Sequence, residues 1–86
     1  MKTVKDLAPA GGTCYIAKKG SRYVCERNGE LALTLNRTQA LAFNTEVELD
    51  KFIEYAAIDT RNASVIGRGY YNVALHFHQP TTTPTN

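Results

Sequence analysis

His76 and His78 stand two residues apart, the spacing that points both imidazoles to one face of a β-strand, where they could serve one metal ion. A zinc site needs a third and a fourth ligand. Cys14 and Cys25 could supply them only if the strand carrying the histidines lies beside the first strand and presents the same face. Two histidines on a solvated edge explain the pair without a metal, so neither a metal nor a cofactor is expected.

The cysteines themselves are too few for a disulfide scaffold. No histidine lies near either one in the chain, and no helix N-terminus precedes them to depress a thiol pKa. They are expected to be small, buried, reduced thiols. Paired acids occur only as Glu46, Asp50 and Glu54, spaced i, i+4 along one solvated helix face, where nothing raises a carboxyl group toward a catalytic pKa. Ser21 and Ser64 fall in turns without a partner base. No enzymatic activity is expected.

Gly67-Arg68-Gly69 lacks the strand-to-helix setting of a phosphate-binding loop and reads as a bend. Lys18, Lys19, Arg22 and Arg68, with Tyr70 as a stacking surface, form the one set suited to nucleic acid. The net charge of +2 is small for an obligate nucleic-acid binder. Its distribution says more. Residues 1–30 carry Lys2, Lys5, Lys18, Lys19, Arg22 and Arg27 against Asp6, Glu26 and Glu30, a balance of +3. Residues 31–60 carry Arg37 and Lys51 against Glu46, Glu48, Asp50, Glu54 and Asp59, a balance of −3. A basic front and an acidic middle favour an oriented protein contact.

These groups must be positioned by a small scaffold. The chain of 86 residues is one domain at most, and a domain of that size buries little more than about 60% of its unfolded surface. Its 43% hydrophobic and 21% charged residues are those of an ordinary globular chain, with no run approaching the roughly 20 apolar residues of a membrane span. The first residues carry no apolar stretch of signal-peptide length, so a cytoplasmic protein without membrane attachment is expected.

Thr13–Lys18 and Arg22–Glu26 alternate and are rich in β-formers, with a turn centred on Lys19-Gly20. Asn28-Gly29, the strongest short hairpin signal, leads to Leu31–Leu35. In this register one face collects Tyr15, Ala17, Val24, Leu31, Leu33 and Leu35, and Cys14 opposes Cys25. The other face collects Cys14, Ile16, Tyr23, Cys25, Ala32 and Thr34. Thr45-Glu46-Val47-Glu48 has the form of a capping box, and Leu49, Phe52, Ile53, Ala56 and Ala57 form the apolar stripe of a helix over 46–58. Asp59–Ser64 reads as a loop. Val65-Ile66 and Tyr70–Gln79 read as extended, the latter with Tyr71, Val73, Leu75 and Phe77 on one face.

The succession of a Tyr-rich hairpin from Tyr15 to Val24, an Asn-Gly turn, Ala42-Phe43, a capped acidic helix bearing Phe52-Ile53 and a last strand resembles small phage-encoded accessory proteins. Many of these bind and inhibit a host protein, so the resemblance implies a binding role and assigns no site residue.

The sequence therefore predicts an α+β domain over residues 13–79, a small antiparallel sheet in βββαβ order with one helix packed on one face. Residues 1–12 are a lead and 80–86 a disordered tail. One helix covers one sheet face, which leaves Ile16, Tyr23 and Cys25 as an open surface for a protein partner or a second copy. The expected function is a non-enzymatic protein–protein interaction module of the inhibitor or adaptor kind. It would use the acidic helix face (Glu46, Asp50, Glu54) or that open sheet face, with the nucleic-acid set above as the alternative.

Overall fold

The computed structural model describes residues 1–7 and 11–77. The expectations for His78 and for the tail at 80–86 lie outside these residues. Elements follow in the order α1 (Val4–Leu7), β1 (Gly12–Lys19), β2 (Arg22–Arg27), β3 (Glu30–Thr34), α2 (Glu46–Ile58), α3 (Ala63–Ile66) and β4 (Tyr70–Phe77). The four strands form one antiparallel sheet in the spatial order β3-β2-β1-β4, so the protein is α+β as predicted.

The second hairpin forms as its sequence dictates. Asn28 and Gly29 both take positive φ, 54° and 80°, and Tyr23↔Thr34 through Arg27↔Glu30 pair in the expected register. The first hairpin turns one residue later than expected. Lys19 pairs with Arg22 around Gly20-Ser21, and Gly20, at φ 64°, takes the left-handed position that a turn on Lys19-Gly20 would have forced on a lysine. This slip moves each partner by two residues, so the faces are kept while Cys14 and Cys25 no longer oppose each other. Cys14 faces Leu75 on β4, Cys25 faces Ala32 on β3, and both are free, buried thiols. Burial pushes the Cys14 thiol pKa up.

Beyond Lys18 and Tyr23 the strands β1 and β2 separate, and residues 40–43 cross the gap. Ala40 bridges Cys25, the Leu41 amide donates to the Val24 carbonyl at 3.0 Å, and Phe43 exchanges hydrogen bonds with Tyr15 at 2.8 and 2.9 Å. The N-terminal segment then lies along this crossing: the Val4 amide donates to Ala40 and the Ala42 amide donates to Lys2. Thr3 and Asp6 cap α1, with the Thr3 amide donating to the Asp6 carboxylate at 2.8 Å.

Two cores result, one on each sheet face. Helix α2 covers Ala17, Val24, Leu41 and Ile66 with Leu49, Ile53 and Ala56, and Tyr15, Leu31 and Leu33 pack at its edge. The opposite face joins Cys14 and Ile16 to Val4, Ala40 and Ala42, with Tyr23, Val73 and Leu75 alongside. The expectation of an open sheet face is thus overturned: Ile16 is 0% and Cys25 1% exposed, and Tyr23 is half-buried. Val4 and Leu7 of the N-terminal turn and the 40–42 crossing supply the cover that a second helix would have given.

Three smaller expectations also change. Leu35 is 65% exposed instead of core, because β3 ends at Thr34, whose hydroxyl accepts from the Asn36 amide and breaks the alternation. Ala57 is exposed, since it lies a full 80° of helical turn from Leu49. Val65-Ile66 are helical, not extended: the Asp59 carboxylate accepts from the Arg61 amide to start a turn, and Ile66 is driven under α2. Helix α2 itself begins and ends where predicted, with Glu48 N donating to Thr45 Oγ1 at 3.1 Å and Thr45 N to Glu48 Oε1 at 3.2 Å. No helix among the described residues is long and apolar enough to cross a membrane.

Candidate interaction surfaces

The capping box fixes the start of α2 and the buried arc Leu49, Ile53 and Ala56 fixes its rotation. What remains outward follows from the 100° step between residues. Glu46, Asp50 and Glu54 run along the exposed flank as expected. Asp50 also accepts a hydrogen bond from Asn72 Nδ2, which ties this flank to β4.

Beside the acids stands a feature that the sequence reading missed. Val47, Tyr55 and Ile58 are 62%, 79% and 78% exposed on the outer face of the same helix, with Lys51 among them. Their spacing, i, i+4, i+8 and i+11 through Lys51, is a second helical stripe. It was available in the sequence, but the stronger stripe through Leu49 and Ile53 claimed the amphipathic signal.

Tyr55 also borders a groove of about 190 Å³ between the end of α2 and the β2–β3 hairpin. Leu31, Phe52 and Ala56 give it an apolar lining, and Glu26, Glu30 and Asp59 sit there with Arg61 and the N-terminal Met1. Arg61 pairs with Asp59 at 3.1 Å. Its guanidinium hydrogen bond holds the Asp59 carboxyl below its ordinary pKa, and the same bond raises that of Arg61. Phe52 is held from behind by Phe43, with ring centroids 5.1 Å apart.

The basic set is divided by the sheet. Lys18 lies over the Tyr23 ring, 5.3 Å from its centroid, on the face away from α2. Lys19 points the other way and donates to the Ser64 carbonyl. Arg22 and Arg68 are exposed, whereas Tyr70 packs half-buried against the core under α2. Lys18 and Tyr70 of the expected set therefore stand on opposite faces of the sheet.

His76 faces Thr13 across the β1–β4 ladder, with Thr13 Oγ1 3.0 Å from His76 Nδ1. It projects on the face opposite to Cys14, so the condition for a shared His–Cys site fails even though β4 does lie beside β1. Among the described residues, no three His, Cys, Asp or Glu side chains converge.

Fold and surface together define a small α+β domain with two closed cores and an amphipathic, acid-flanked outer helix face. No family model, no curated protein and no solved structure matches this chain.

Proposed function

We propose that the protein is a non-enzymatic interaction module of the inhibitor or adaptor kind, acting in the cytoplasm, and that it docks on a protein partner through the outer face of α2. One observation carries this reading: Val47, Tyr55 and Ile58 hold large apolar side chains in solvent on the one helix face that the core does not need. Apolar anchors with a polar rim are the anatomy of a docking helix, and an exposed tyrosine is a frequent energetic anchor. The acids Glu46, Asp50 and Glu54 flank these anchors, and Glu26, Glu30 and Asp59 stand at the adjoining groove. The complementary partner surface is an apolar groove with a basic rim. The free thiols of Cys14 and Cys25 accord with a reducing compartment. The likeness to small phage accessory proteins adds a host protein as the kind of partner to seek.

The experiment compares affinity capture from a host lysate by the wild-type chain and by the double variant Tyr55→Glu with Ile58→Glu, both verified as folded by circular dichroism. A protein retained by the first and lost by the second supports the reading, and its binding should weaken with salt as the acidic rim is screened. Equal retention by both chains removes α2 as the docking face. Binding of single-stranded DNA that falls steeply with salt would instead favour the nucleic-acid alternative.

A further inference from the structure

Among the described residues, strand β4 is an edge strand without the features that discourage pairing. Among the described residues it has a strand neighbour, β1, on one side only. Its eight residues, Tyr70–Phe77, contain no Asp, Glu, Lys, Arg or Pro, and they match β1 without interruption from Lys19↔Tyr70 to Gly12↔Phe77, so no bulge bends the edge away. Natural sheets guard long edges with charges, prolines or bulges. The opposite edge, β3, is five residues long and begins with Glu30.

The hydrogen-bond pattern states which groups are free. Tyr15 spends its N–H and C=O on Phe43, at 2.8 and 2.9 Å, on the side away from β4. The pair Tyr15↔Ala74 is therefore a non-hydrogen-bonded pair of the antiparallel ladder, and Ala74 turns its own N–H and C=O outward. By the period of two, Asn72 and His76 do the same. The outer edge thus offers backbone donors and acceptors at 72, 74 and 76, symmetric about Ala74.

We propose that β4 pairs antiparallel with β4 of a second copy of this chain, about a twofold axis through Ala74, to make one continuous sheet. In that register Ala74 opposes Ala74 of the second copy and Asn72 opposes His76. Each such pair exchanges both of its N–H···O bonds. On the other face Tyr71, 49% exposed, meets Phe77, and Val73 meets Leu75. A twofold axis normal to the sheet allows only such even registers, since it keeps apolar face beside apolar face. The occupant is a second copy because the strand is complementary to itself: it carries no formal charge to repel its like, and its apolar side chains match in reverse order. This contact is independent of the outer α2 face.

The test is sedimentation velocity of the full chain from about 1 μM to about 1 mM, the range suited to an edge pairing at the small end of specific interfaces. The wild type should move from its 9.5 kDa monomer toward twice that mass. Ala74→Lys, at an exposed side chain, places two cations face to face and should raise the dissociation constant by at least about tenfold. Ala74→Pro should do the same by removing the outward N–H, which the β1 ladder does not use. Tyr55→Glu with Ile58→Glu should leave the dimer intact. A wild type that stays monomeric throughout overturns the proposal, as does a dimer of unchanged affinity in both Ala74 variants.

Discussion

Val4→Ala is the perturbation that separates the two descriptions of this chain most sharply. As part of a lead outside the domain, Val4 would be free to change. In the structure it is 2% exposed and packs with Cys14, Ile16, Ala40 and Ala42 on the sheet face away from α2. The substitution removes two methyl groups, worth about 1.6 kcal/mol at roughly 0.8 kcal/mol per buried carbon. The unfilled space adds about 1 kcal/mol for a residual void of roughly 40 Å³ at about 24 cal/mol per Å³. Alanine's better helix propensity returns roughly 0.5 kcal/mol at most. The net loss is about 2 kcal/mol, or a fall in Tm of roughly 8–16 °C for a domain of this size. The natural control is Leu35→Ala. The sequence alternation over Leu31–Leu35 predicts Leu35 in the core, yet it lies past the end of β3 and is 65% exposed, so its loss should stay within about 0.5 kcal/mol. Urea unfolding followed by circular dichroism, with unchanged m-values, measures both. A Val4 variant within about 0.5 kcal/mol of wild type, together with a Leu35 variant costing more than about 2 kcal/mol, would refute the two-core arrangement.

The capping box at the start of α2 predicts that Thr45→Ala costs about 1 kcal/mol in urea unfolding, because the Glu48 amide loses its acceptor. A cost near zero would mean that water replaces the cap without penalty. The carboxyl groups of Asp6 and Asp59 are both held below their ordinary pKa, the first by the Thr3 backbone amide and the second by the Arg61 side chain. A depressed folded pKa means that their contribution is present above the unfolded value of about 3.9 and is lost as pH falls through the lower folded value. Thermal melts from neutral to strongly acid pH should therefore lose stability in that low window, and the double variant Asp6→Asn with Asp59→Asn should show a shallower acid slope. An identical slope would place the acid sensitivity elsewhere.

Local signals carried the sequence reading a long way. Asn28-Gly29 fixed its hairpin because both positions need positive φ, and Thr45 with Glu48 located the start of α2 to the residue. The face assignment of β1 survived a misplaced turn, since a shift of two residues preserves the pleat. What stayed hidden is nonlocal. A single helical turn such as Val4–Leu7 is too short to show a 3.6-residue period, and nothing in Ala40-Leu41-Ala42-Phe43 announces that it will cross between two diverging strands. Val65-Ile66 have strand propensity but obey the cap at Asp59 and the space beneath α2. For the candidate site, the acidic flank was legible. The apolar stripe beside it was not, because two stripes on one helix compete for the same periodicity.

The closure of the second face changes what the remaining apolar surface means. Were that face open, Val47, Tyr55 and Ile58 could be dismissed as scattered surface residues, with Ile16 and Cys25 the more hydrophobic target. With Ile16 packed against Val4 of the N-terminal turn and Cys25 buried beside the crossing at Ala40, both sides of the sheet carry a closed core. Core formation then gives no reason for a helix to carry a valine, a tyrosine and an isoleucine on its outward arc, or for an edge strand of eight residues to omit every charge. Each feature raises the risk of association while adding nothing to the interior. The two surfaces lie on different elements and use different chemistry, side-chain anchors on α2 and backbone groups on β4. A protein partner on the first and a second copy on the second are therefore compatible in one assembly, which would present two α2 faces on the same side of one sheet.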